Sequence, residues 1–143
     1  MTTLDGINKA MDWYHANHGS NDIEGFARCQ NQLSSYFYRL AQELAEAKQD
    51  YLQCKFNRRR AVMERKHELL KNPSGSISVA RAELLAEYHA LELIERETDA
   101  EMVYEGYKAI SESIRETLGS MKQYISYLKE ELNHTRRGTG QNG

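Results

Sequence analysis

The chain has 143 residues, a formal net charge of −2 and a mean hydropathy of −0.76, which is the length of one domain but very polar for a compact globule. Forty per cent of it is apolar, with nine Tyr and a single Pro; that suits long helices with a narrow buried seam, or an obligate oligomer. No apolar run approaches the roughly 18 residues of a membrane span, and no basic-then-apolar leader opens the chain, so a soluble, cytoplasmic protein with no membrane contact is expected.

Residues 3–18 predict a short helix. Leu4, Ile7, Met11, Tyr14 and His18 recur at steps of 3 and 4, with Trp13 just off that face. Asp5 is positioned to cap its start and Gly19 to end it. Alone it is too short to be stable in water, so it must dock, with Trp13 as the anchor.

Residues 22–71 predict one long helix, opened by a capping box of Asn21 and Glu24. Ile23, Phe26, Gln30, Leu33, Phe37, Leu40, Leu44, Ala47, Tyr51 and Cys54 follow unbroken steps of 3 and 4, the pattern of a coiled-coil seam. The next members are Arg58, Ala61 and Arg65, so the seam turns basic. Asn72 to Ser78, with Pro73 and Gly75, is the strongest loop signal, and Ser78 is a good N-cap.

Residues 79–133 predict a second long helix. Leu84, Tyr88 and Leu91 start a seam that blurs through Glu95, Thr98 and Met102. It resumes at Val103, Tyr107, Ile110, Ile114, Leu118, Met121, Ile125, Leu128 and Leu132. The blurred middle and a 4–4 step through Leu118 predict a stutter or bend. Residues 134–143 are Gly-rich and polar and read as a disordered tail. The expected fold is all-α: a single helical domain over 1–133, a long antiparallel coiled-coil-like hairpin with a short N-terminal helix, assembled into a homo-oligomer.

No catalytic constellation is legible, and no enzyme activity is expected. Cys29 and Cys54 would stand about 37 Å apart on one helix at ~1.5 Å per residue, so they cannot pair. Neither has a zinc-site neighbour. His15 and His18 share a face near Asp12 but lack a further ligand, and the carboxylate pairs of the second helix read as a solvated face. No metal and no cofactor are implied.

The chemistry that stands out is basic. Residues 55–67 carry six Lys or Arg against one Glu: Lys55, Arg58, Arg59, Arg60, Arg65 and Lys66. One reading is contact with nucleic-acid phosphates, each cation releasing counterions, with paired tyrosines (Tyr104 with Tyr107, Tyr124 with Tyr127) able to stack bases. The other is neutralisation within the hairpin. Residues 83–105 hold eight acidic residues and one Arg. Folding about Gly75 sets Lys55 near Glu95, Arg58 near Glu92, and Arg65 and Lys66 near Glu83 to Glu87. An acidic protein partner is a third possibility.

The run from Tyr38 to Tyr51 (YRLAQELAEAKQDY), the basic stretch, the short polar loop and the second helix ending Met121 to Glu131 (MKQYISYLKEE) resemble small phage proteins related to the UvsY-type recombination mediators, over about residues 33–132. The resemblance implies a small helical protein that forms rings, binds single-stranded DNA and helps load a recombinase onto strands coated with single-strand-binding protein, in a host cell's cytoplasm if phage-encoded. It implies DNA binding at Lys55, Arg58, Arg59, Arg60, Arg65 and Lys66, and subunit interfaces along the apolar stripes. The alternative is a coiled-coil adaptor, or a phage-encoded inhibitor, that acts through protein–protein contacts.

Overall fold

The computed structural model describes residues 2–71 and 77–141, with side chains through residue 138. Four helices follow in order: α1 (Thr3–Ala16), α2 (Ile23–Lys71), α3 (Val79–His89) and α4 (Leu91–Gln141). No strand occurs among the described residues. The long helices α2 and α4 pack against each other as an antiparallel hairpin. The chain divides into two compact units, Met1–Gln42 with Ala109–Gly143, and Glu43–Lys108.

The first unit has three helical segments around a well-filled core. Phe26, Leu33, Leu40, Ile114 and Met121 are its fully buried large side chains. The helix α1 buries Ile7, Ala10 and Tyr14 there, so the predicted docking is met within the chain itself. Phe26 is the hub: its ring meets Trp13 at 5.4 Å, Tyr14 at 6.1 Å and Tyr124 at 5.0 Å, all edge-on, the arrangement that aromatic quadrupoles favour. Tyr124 also donates its hydroxyl hydrogen to the Ser20 carbonyl at 2.5 Å.

The caps differ from expectation by one to three residues. Thr2, not Asp5, caps α1: Thr2 Oγ1 accepts from the Asp5 amide and Asp5 Oδ2 accepts from the Thr2 amide, a reciprocal box. Those hydrogen bonds from Thr2 hold the exposed Asp5 carboxyl below its usual range. Asn17 closes α1, and Gly19 reverses the chain at φ 93°. At the start of α2 the carboxylate of Asp22, rather than Asn21, accepts from the Gly25 amide at 3.0 Å.

The second unit is built differently. The α2 seam runs as predicted through Ala47, Tyr51, Cys54, Arg58, Ala61 and Arg65, all buried or half-buried. The opposing seam does not. Leu84, Tyr88, Leu91, Met102 and Val103 are exposed, and the positions turned inward are Ala82, Ala86, Ala90, Leu93, Glu97, Ala100 and Tyr104. Alanine lets the helix come close enough for the long stems of Arg58, Arg65 and Lys66 to lie along it. Its fully buried residues are therefore small: Ala82 and Ala86 at 0% exposure.

The predicted single helix over 79–133 is interrupted at Ala90, whose φ and ψ are −96° and 9°. Its amide is shared between the Ala86 and Glu87 carbonyls at 3.1 and 3.0 Å, a tightened turn. The inward positions step 4–4 through Ala82, Ala86 and Ala90, then alternate 3 and 4, so the stutter lies here and not near Leu118. Ser78 caps α3 as expected, its Oγ accepting from the Arg81 amide at 3.2 Å. The loop predicted at Pro73 and Gly75 lies outside the described residues. At the other end α4 continues to Gln141, past the predicted start of a disordered tail at residue 134. Each further residue of a formed helix adds a bond at little cost, and Thr135 returns a side-chain bond to the Glu131 carbonyl at 3.0 Å.

Candidate nucleic-acid interface

The six predicted basic residues separate into two groups within the second unit. Arg58 projects from the α2 seam onto Glu97 of α4. Its Nε donates to Glu97 Oε2 at 2.5 Å and its Nη2 to Oε1 at 3.2 Å. The side chains are 29% and 12% exposed. That bidentate fork holds the Glu97 carboxyl below its usual range, the hydrogen bond from Arg58 being the first cause. The sequence reading, folding the hairpin about Gly75, places Glu92 opposite Arg58; the partner is Glu97, five residues further on, in the same register that sets Tyr51 against Tyr104.

Lys66 reaches Glu83 of α3 at 2.7 Å, a pairing the sequence anticipates. Arg65 holds Glu68 at 3.1 Å and lies 3.4 Å from His89 Nε2. Its Nε is buried with no partner among the described residues. Ala61, Ala86 and Ala90 line the recess that contains it.

The second group faces water. Arg59 is exposed and holds no ion pair among the described residues. Arg60 pairs with Glu64 one turn on at 2.9 Å, with both side chains at least 60% exposed; such a pair contributes only about 0.3–0.5 kcal/mol. Lys55 is half-buried, its Nζ 5.9 Å over the ring of Tyr51. Lys48, His67 and Lys71, which the sequence reading did not single out, are exposed on the same outward side of α2. At 100° per residue these side chains cover somewhat less than half of the helix surface, with Asp50 and Glu68 beyond them and Glu64, held by Arg60, at their edge. The signal was available in the helical spacing, but it needed the inward face to be known first.

The tyrosines are mostly occupied. Tyr104 stacks on Tyr51, centroids 6.0 Å apart and planes at 8°, with Lys108 Nζ 5.4 Å from the Tyr104 ring. Tyr124 belongs to the first unit's core. Tyr127 is exposed, and its hydroxyl donates to Glu131 at 2.7 Å. His15 and His18 pack beside Tyr14, and among the described residues no cluster of three or more His, Cys, Asp or Glu is placed to hold a metal ion. No described helix is long and apolar enough to cross a membrane.

Comparison of the chain with protein-family models, with curated proteins and with solved structures finds no match.

Proposed function

We propose that the protein is a non-enzymatic, self-associating single-stranded DNA-binding protein that serves as an accessory factor in phage-type recombination, helping to load a recombinase. The observation that carries this reading is the predominantly basic outward side of α2, where Glu64, held by Arg60, is the acid at the edge. There Lys48, Arg59, Arg60, His67 and Lys71 stand exposed, with Lys55 half-buried beside them. Such a row tracks a phosphate backbone without reading sequence. Arg58, Arg65 and Lys66 shape the unit by holding carboxylates, and they contribute to the field rather than to direct contacts. The resemblance to UvsY-type mediators supplies the recombination context.

The test is binding of a labelled single-stranded oligonucleotide across a salt series. The expected slope of log affinity against log salt corresponds to several phosphates at ~0.7 each. Absence of binding at low salt refutes the reading.

A second reading, a coiled-coil adaptor or phage-encoded inhibitor acting through protein contacts, is favoured by one observation. The second unit leaves large apolar side chains exposed on both long segments, among them Phe56, Met63, Leu84 and Tyr88. Absence of single-strand binding by the native chain even at low salt would shift preference to this reading.

A further inference from the structure

The second unit carries two outward ridges with the same spacing. On α2, Leu52, Phe56, Arg59, Met63, Lys66 and Leu70 follow steps of 4, 3, 4, 3 and 4. On α3 and α4, Leu84, Tyr88, Leu91, Glu95, Thr98 and Met102 follow the same steps. Each is a second heptad stripe, turned away from the seam that joins the two helices. The apolar members are well exposed: Phe56 58%, Met63 66%, Leu84 68% and Tyr88 70%. A unit whose own fully buried residues are alanines leaves its large apolar side chains outside, and contiguous exposed apolar surface marks an interaction site.

The ridges differ in charge. The α2 ridge is flanked mainly by Lys and Arg, the nearest acid being Glu64, which Arg60 holds. Residues 79–105, which carry the other ridge, hold eight acidic residues and only Arg81 and Arg96 as cations. Arg96 is already held by Glu92 at 2.8 Å. The unit is thus basic and apolar on one side, acidic and apolar on the other.

The register of the seam suggests what covers them. Inside the unit, Tyr51 meets Tyr104, Arg58 meets Glu97 and Arg65 meets His89. Repeating that antiparallel register on the outer sides, between α2 of one copy and α3–α4 of the next, sets Leu52 against Met102 and Phe56 against Thr98. It sets Met63 against Leu91 and Leu70 against Leu84, while Arg59 meets Glu95; Lys66 lies at the inner edge of the ridge, already held by Glu83. Apolar side chains meet apolar ones except where Phe56 lies on Thr98, and Arg59 meets an acid.

We infer that the occupant of each ridge is a second copy of this chain, docked head to tail so that the basic ridge of one protomer seats on the acidic ridge of the next, with Arg59 opposite Glu95. Such a heterologous contact closes into a ring or continues as a filament, according to the rotation between copies. It does not rest on the DNA reading. The two meet at Arg59; Arg60, His67 and Lys71 lie off the ridge on one flank of α2, so a docked neighbour leaves them to a strand.

The experiment is sedimentation of the full chain without nucleic acid, for the native protein, Arg59→Glu, Glu95→Arg and an equimolar mixture of the two variants. Native protein should form species larger than a dimer. Each variant alone should be monomeric with unchanged helicity by circular dichroism, because both positions are exposed. The mixture should associate again, since every contact then joins unlike charges. A monomeric native protein, or association indifferent to either reversal, overturns the inference. A second measurement guards against misfolding of a variant. Met63→Cys/Leu91→Cys in a Cys54→Ser background should give a ladder of disulfide-linked multimers on oxidation, and no ladder counts against the proposed register. Loss of DNA binding with intact association would refute only the function proposed above.

Discussion

Arg58 and Glu97 face each other across the second unit in a two-point fork, Nε to Oε2 at 2.5 Å and Nη2 to Oε1 at 3.2 Å. Breaking it strands a mostly buried carboxylate. Arg58→Ala should therefore cost about 1–2 kcal/mol, between an exposed pair and a fully desolvated one, measured by urea unfolding. The pH dependence has a definite sign. Glu97 titrates lower in the folded chain than in the unfolded one, so its contribution is complete above the ordinary glutamate range and is lost as pH falls through the lowered folded value. The melting temperature of the native chain should drop more steeply below about pH 4.5 than that of Glu97→Gln.

The alanine seam predicts an inversion of the usual rule for substitutions. Leu84 is 68% exposed whereas Ala86 is fully buried. At low protein concentration Leu84→Ala should change stability by less than about 0.5 kcal/mol. Ala86→Leu should destabilise by about 1–3 kcal/mol through overpacking. In the first unit Leu33→Ala, at 0% exposure, should cost about 2–5 kcal/mol. Thermal melts of the three variants decide the matter, and a larger loss for Leu84→Ala than for Ala86→Leu would contradict the seam.

The two thiols should differ in reactivity. Cys29 is buried, donates to the Ala10 carbonyl at 3.3 Å, and burial pushes its thiol up; Cys54 is only half-buried. Because the thiolate is the reacting species, a disulfide reagent should modify Cys54 first in the native chain, and Cys29 only on unfolding. Equal rates would place α1 away from α2 in solution.

The division of the basic stretch can be read in a salt series. Arg59→Ala and Arg60→Ala should each reduce the single-strand slope by ~0.7, one lost phosphate contact apiece. Arg58→Ala should leave the slope unchanged, since its guanidinium is already held by Glu97.

Much of the fold was legible in the residues. The step pattern from Phe26 to Arg65 predicted the buried side of α2 with few errors, because large apolar residues there coincide with the inward face. The second long segment was misread for a definite reason. Leu84, Tyr88 and Leu91 give a stronger periodic signal than Ala82, Ala86 and Ala90, yet the alanines face inward. Two stripes on one helix compete in the sequence, and side-chain size alone favours the wrong one. Separately, the partner of Arg58 is Glu97 and not Glu92, because the axial register of the two helices differs from a simple fold about Gly75.

The sequence by itself determined the all-helical class, the turn after α1, the α2 seam and its change from apolar to basic, since these depend on spacing and local backbone preference. Only the tertiary structure decided which stripe of the α3–α4 segment is inside, because that depends on how closely two helices can approach. It alone divided the six cations into Arg58, Arg65 and Lys66, which reach across to the α3–α4 segment, and Lys55, Arg59 and Arg60, which do not. The charge of a side chain is local, but whether that charge is spent depends on a neighbour some thirty to forty residues away in the case of Arg58.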